Sequence, residues 1–421
     1  MAKNSFSPDG ATTRVAVLVI SKVTSLSKVT SLRAPHDSSA SIPQTTMAHV
    51  SSATRAPAAA ASPRALSSRR SSLAGRRAVC AARTRGGPRA RGFRVSAYEQ
   101  ADTDGEAVKV DIPMADVSKG KKIGSGSFGD VFEGTWKGKA VILKERKLTG
   151  PGKKYFDAEA SLNRRLKSAK GVAPFLGVAG ANAFLVWKDE GRSTLDAVLG
   201  GGSGGGFSLF GGGGGGGGGL AAAMGVGDES RAVRAFSKQL LQAVKSVHDA
   251  GVVHRDVKPD NILFARGGLG SKPAIKLIDF GGAADLRTGV NYSKDETVFD
   301  PVYGPPEKYL DVSGVGSLFG SSLGWAKAKP DLFDAFSCGM VILQVACPSL
   351  RKGKPGGTKR DLDIYAYDAQ AWRDSLPERR QADFAILDEN GGQGWDLVCG
   401  LLAQRKKRTS VAQAIGHPFC R

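Results

Sequence analysis

The chain has 421 residues, with 60 Lys and Arg against 39 Asp and Glu and a net charge of +21. The excess belongs to one end: Met1 to Ala97 holds 16 basic residues and two acidic ones, so the remainder lacks the concentrated basicity that a nucleic-acid partner requires. Five scattered cysteines without CxxC spacing argue against a zinc site or a disulfide framework, and no run of 18 apolar residues is present to span a bilayer.

The segment "SSATRAPAAAASPRALSSRRSSLAGRRAVCAARTRGGPRARGFRVSA" is rich in Arg, Ser and Ala and contains no acid, the composition of an organellar transit peptide. A disordered basic tail is the alternative; neither holds enough apolar surface for a core. Residues 1–97 are thus expected to be a disordered leader, with Met47, which opens the acid-free segment, as an expected translation start. Residues 98–116 are expected to be a linker, and 117–420 one globular domain.

In that domain "KKIGSGSFGDVFEGTWKGKAVILKERK" alternates as short antiparallel strands do, with turns expected at Gly134 and Gly138. "YFDAEASLNRRLKSA" has the helical spacing of Phe156, Ala160 and Leu166, and "AFLVWKDEG" is a buried strand leaving through a polar turn. Residues 200–220 are almost all glycine, whose ordering costs the most backbone entropy, so a flexible insertion is expected there. "ESRAVRAFSKQLLQAVKSVHDAG" predicts an amphipathic helix ended by Gly251, and "DLFDAFSCGMVILQVACP" a buried one.

Four stretches carry chemistry. "GSGSFGDV" fits GxGxxGxV: Gly124, Gly126 and Gly129 let the backbone approach a phosphate, with Ser125, Ser127 and Val131 completing the stretch. With 56 glycines in the chain, the pattern gains weight only from the three motifs C-terminal to it. "AVILK" ends an apolar strand in Lys144, which needs anionic partners there: a nucleotide phosphate and a helix acid, Glu159 before Asp157 or Glu145. "HRDVKPDN" sets Asp256 to accept a hydroxyl proton, Lys258 to neutralise a transferring phosphoryl group, and Asn261 to reach a metal. "KLIDFGG" presents Asp279 beyond an apolar run, placed to hold Mg²⁺ against nucleotide phosphates.

In this order the motifs resemble the eukaryotic protein kinase family. "YGPPE" resembles its APE, "DAFSCG" its DxWSxG helix, whose Asp (here Asp334) braces the catalytic loop, and Arg408 stands where the family pairs an Arg with the APE Glu, here Glu307. The resemblance implies a bilobal α+β fold, a small antiparallel sheet with one helix and a larger helical lobe, binding ATP and Mg²⁺ between them. Lys258 resembles the serine/threonine class. Arg255 resembles kinases switched by phosphorylation of the activation segment, where Thr288, Tyr292, Ser293 and Thr297 are candidates.

Three positions depart from the family pattern. Ile142 replaces a usual Ala of the adenine site and Trp187 falls near its back wall, which implies a tighter pocket. Asp300 replaces a Thr that bridges the catalytic Asp and Lys; it is expected to pair with Lys258. "FDPVYGPPEKYL", "GGAADLRTGVNY", "GVAPFLGVAG", "EGRSTLDAVL" and "CPSLR" resemble the chloroplast state-transition kinases, which phosphorylate light-harvesting and photosystem II proteins at the thylakoid. One branch of that family carries a membrane span and a lumenal cysteine pair ahead of the kinase domain. Neither is visible here, so a stromal or peripherally bound enzyme is expected. The rival readings are a pseudokinase scaffold whose pocket is closed by Ile142 and Trp187, and a cytosolic kinase with a basic tail.

Overall fold

The computed structural model describes residues 111–421, apart from 126–128, 148–151, 181–182, 201–218, 266–272, 292–298, 309, 311–317 and 319. The leader, Met47, most of the linker, nearly all of the glycine-rich insertion, Gly126, Ser127 and three of the four hydroxyl candidates lie outside the described residues.

Five antiparallel strands form the first sheet: β1 (Val117–Ser125), β2 (Gly129–Trp136), β3 (Lys139–Arg146), β4 (Phe175–Ala179) and β5 (Phe184–Lys188), in the order β1-β2-β3-β5-β4. Helix α1 (Gly152–Arg165) connects β3 to β4 and buries Phe156 and Ala160 against Phe175, Val178 and Leu185. The β2–β3 turn is made by Lys137 and Gly138, both with positive φ (48° and 72°). Gly134 is not a turn residue: it lies inside β2 opposite Val141, where a Cβ would stand 2.6 Å from Leu143 Cδ1. Its glycine answers close packing rather than chain reversal.

The second lobe begins with β6 (Ser193–Thr194), α2 (Leu195–Val198), α3 (Gly219–Ala223) and α4 (Glu229–Asp249). Asp228 caps α4 by accepting from Arg231 N at 2.7 Å, and Ala232, Phe236, Leu240, Val244 and Val247 face the core at helical spacing. Gly251, with φ +81°, follows the helix end. Short strands β7 (Val252–Val253), β8 (Ile262–Ala265), β9 (Ala274–Leu277) and β10 (Ala284–Asp285) form two small sheets, β6-β8-β9 and β10-β7. Helices α5 (Ser322–Ala328), α6 (Leu332–Ala346), α7 (Gly356–Ile364), α8 (Ala369–Asp374), α9 (Glu378–Gln381), α10 (Ala385–Leu402) and α11 (Val411–Ala414) complete the lobe. Every residue of α6 is buried, as its apolar sequence predicts, and it packs against α4 and α10. The fold is bilobal α+β.

Candidate active site

The loop between β7 and β8 carries His254 to Asn261. Its shape is fixed by Asp334, a fully buried carboxylate of α6 that accepts from the backbone N–H groups of His254 and Arg255, both at 2.8 Å, and lies 2.8 Å from His248 Nε2. Burial alone would raise the Asp334 carboxyl, but the bonds and charge of His248, with His254, hold it below its ordinary value. These bonds support an unfavourable backbone, since Arg255 has φ +66°.

The Asp256 carboxylate is held at both oxygens. Oδ2 accepts from Lys258 Nζ at 2.7 Å and from Asn261 Nδ2 at 2.9 Å, and Oδ1 accepts from Asp300 N at 3.2 Å. Asn261 Nδ2 also donates to the Asp256 carbonyl at 2.8 Å, so the amide turns its oxygen away from these contacts. Lys258 is raised: burial pushes it down, and the Asp256 carboxylate more than compensates.

Lys144, 3% exposed near the end of β3, reaches across the cleft. Its ammonium donates to both Glu159 oxygens, at 2.8 and 2.9 Å, and to Asp279 Oδ1 at 3.1 Å. Glu145, an alternative partner by sequence, pairs with Lys119 instead. Burial opposes the charge on Lys144, yet its two carboxylate neighbours hold the proton firmly. Burial pushes the Glu159 carboxyl up, aided by the charge of Asp279, whereas Asp279 is held down by Lys144 against its own burial. Asp279 sits at φ +59°, a backbone conformation that non-glycine residues rarely take.

The cleft between the lobes is lined by Val131, Ile142, Lys144, Ala173, Trp187, Leu263 and Asp279. Both departures at 142 and 187 therefore face it, opposite one another in the β3–β5 register. The Trp187 indole is anchored on α1 by donating to Asn163 Oδ1 at 3.1 Å. Gly124 and Ser125 end β1, and the Ser125 hydroxyl donates to Asp130. Gly129 opens β2, where a Cβ would collide with the Glu145 carbonyl oxygen, so strand packing alone already demands glycine there. That constraint is independent of any phosphate.

On the other side of Asp256, the expected Asp300–Lys258 pair is not formed. Asp300 Oδ2 accepts from Lys354 Nζ at 2.7 Å, while Lys258 is engaged by Asp256 and supplies Asp300 only a weaker, longer-range charge. Repulsion between the two carboxylates is relieved by giving each its own ammonium. Glu307 pairs with the buried Arg408, whose Nη2 lies 3.2 Å from Oε2, and with Arg405 at 3.3 Å. Arg255 is buried, its Nε donating to the Gly282 carbonyl at 2.6 Å, and Thr288 is exposed.

Two family models match this chain: "Protein tyrosine and serine/threonine kinase" over residues 117–313 and "Protein kinase domain" over residues 225–420. The chain belongs to the protein kinase superfamily. It is 32% identical to "Serine/threonine-protein kinase STN7, chloroplastic" of Arabidopsis thaliana over 71% of this chain and 56% of that protein. It is 34% identical to "Serine/threonine-protein kinase STN8, chloroplastic" of the same plant over 68% of this chain and 61% of that one. The chain thus spans about three fifths of the length of these curated relatives. A crystal structure of a Stt7 homolog from Micromonas algae soaked with ATP superposes with a TM-score of 0.62 at 28% identity, covering 80% of this chain and 98% of that one.

The kinase domain brings Lys144 and Glu159 to Asp279, 135 residues beyond Lys144, and gathers Lys258 and Asn261 on Asp256. The motifs do not name Asn163, Ala173 or Lys354. Asn163 follows Glu159 by one helical turn, which is the signal that finds it. Lys354 lies in "RKGKPGG", where nothing local points to Asp300.

Proposed function

We propose that this chain is an ATP- and magnesium-dependent serine/threonine protein kinase of the chloroplast that phosphorylates thylakoid proteins of photosystem II or its light-harvesting antenna. The observation that carries the activity is Asp256, held by Lys258, Asn261 and the Asp300 amide on one side of the cleft, opposite Lys144 clasped by Glu159 and Asp279. In this reading Asp256 orients a substrate hydroxyl and accepts its proton, and Lys258 offsets charge on the transferring phosphoryl group. Lys144 would hold nucleotide phosphates, with backbone N–H groups of the stretch Gly124, Ser125, Gly126, Ser127 and Gly129 as further donors to them and Val131 lining the nucleotide cleft.

The donor set suits magnesium. Asn261 keeps its amide oxygen free of the contacts to Asp256, and Asp279 is held as a carboxylate: two hard oxygen donors from the protein, as expected for an ion that takes its remaining ligands from phosphates and water. When bound, the metal would neutralise charge on those phosphates.

The address rests on the two chloroplastic relatives and on the acid-free basic leader, and the substrate class on the resemblance to the state-transition kinases. Among the described residues no helix is long and apolar enough to cross a membrane. The test offers thylakoid membranes and a generic basic protein side by side to the purified kinase with labelled Mg-ATP. Preferential labelling of thylakoid proteins supports the reading. Equal labelling of both overturns the substrate class, and nucleotide binding without transfer turns the reading to a scaffold.

A further inference from the structure

The loop from Asp300 to Gly304 passes directly beside the Asp256 carboxylate; two tethers tie it directly to residues 353–359 of the second lobe, and a third reaches that segment through Gln344 of α6. The Asp300 carboxylate accepts from Lys354 Nζ at 2.7 Å and from Val302 N at 2.9 Å. The Tyr303 hydroxyl donates to Gln344 Oε1 at 2.8 Å, and the same amide donates through Nε2 to the Gly353 carbonyl at 2.9 Å. Lys359 Nζ donates to the Gly304 carbonyl, with its ammonium 4.5 Å from the centre of the Phe336 ring and 5.6 Å from that of Tyr367. Gly304 N in turn closes on the Asp300 carbonyl at 2.8 Å.

Asp300 is 9% exposed and sits where the family pattern places a hydroxyl. A hydroxyl bridges neighbours unaided, but a buried carboxylate beside a second carboxylate needs its own cation. Lys354 is that cation, and its side chain is half exposed, so its cost of burial is small. The Asp300 amide then donates to Asp256 Oδ1 at 3.2 Å, so the geometry of the catalytic carboxylate depends on where Lys354 holds Asp300.

We infer that Lys354 is a positioning residue for phosphoryl transfer, acting through Asp300 on Asp256, and that residues 353–359 form a clamp that sets the substrate-facing loop 300–304. This rests on the kinase reading above. The clamp replaces the hydroxyl bridge of the family pattern by an ion pair whose outer partner comes from a remote loop.

The test compares the full chain with Lys354→Ala, Lys354→Arg, Asp300→Asn and the double variant Lys354→Ala/Asp300→Asn. Lys354→Ala is expected to lower kcat for a protein substrate about tenfold, the scale of one charge-assisted hydrogen bond, with KM for ATP unchanged. Lys354→Arg is expected to restore most of it. The double variant is expected to lose no more than the larger single loss, because both changes break the same link. Amide exchange gives a second readout that needs no turnover: the Val302 and Gly304 amides should exchange faster in Lys354→Ala while those of α6 stay protected. Unchanged exchange at Val302 and Gly304 overturns the clamp, as do losses in the double variant that multiply. A wild-type chain that transfers no phosphate defeats the activity reading instead, and the exchange result still decides the clamp.

Discussion

Replacing Glu159 by Gln removes one of the two carboxylates that hold the buried Lys144 ammonium. Breaking a buried ion pair costs about 3–5 kcal/mol when the surviving charge is left alone. Lys144 is not left alone, because Asp279 remains 3.1 Å away, so the loss belongs near the lower end, about 3 kcal/mol. In a domain of about 300 residues that lowers the melting temperature by roughly 5 °C. The same ammonium is drawn toward Asp279 and away from the position proposed to serve nucleotide phosphates, so kcat/KM for ATP should fall about a hundredfold. Thermal melting and steady-state phosphoryl transfer on the same preparations measure the two effects. A melting temperature within about 2 °C of wild type together with kcat/KM within about threefold would refute the argument that Glu159 sets Lys144.

Other outcomes arise from the same geometry. Gly129→Ala drives a methyl group into the Glu145 carbonyl and should destabilise the fold by about 1–3 kcal/mol in denaturant titrations, with or without nucleotide. Arg408→Ala leaves Glu307 with Arg405 alone and removes the guanidinium from the Phe336 ring, 5.0 Å away; unfolding in urea should show a loss of about 3 kcal/mol. Burial pushes the carboxyls of Asp300 and Asp334 up, but their hydrogen-bonded partners more than compensate and hold both below the ordinary value of 3.8. Such groups contribute stability that is fully present above the unfolded value and is lost as pH falls through the folded one. Acid unfolding should therefore steepen below pH about 4, and Asp300→Asn, less stable at neutral pH, should show a shallower acid slope in stability measured from about pH 5 to 3.

Much of this site is legible in the sequence because its parts are local. Asp256, Lys258 and Asn261 lie within six residues on one loop, so their spacing alone brings them to one carboxylate. Glu159 is legible because an apolar strand that ends in a lysine requires an acid, and the next helix supplies one facing the core. Asp300 shows where local reasoning stops: the anomaly is visible, but its partner is 54 residues away in a glycine- and proline-rich loop, and the nearer Lys258 is already taken by Asp256. Gly134 marks a second boundary. Glycine serves both turns and close strand packing, and only the side chain of Leu143 across the sheet decides between them.

Transfer of labelled phosphate from Mg-ATP by the full chain, run beside Asp256→Asn, which keeps the side-chain volume, tests the catalytic role of this site most directly. The wild type should transfer phosphate and the variant should lose about 10²–10⁴-fold, with nucleotide affinity unchanged. Equal transfer by both proteins would contradict the role of Asp256, and no transfer by either, with nucleotide bound, would contradict the activity itself.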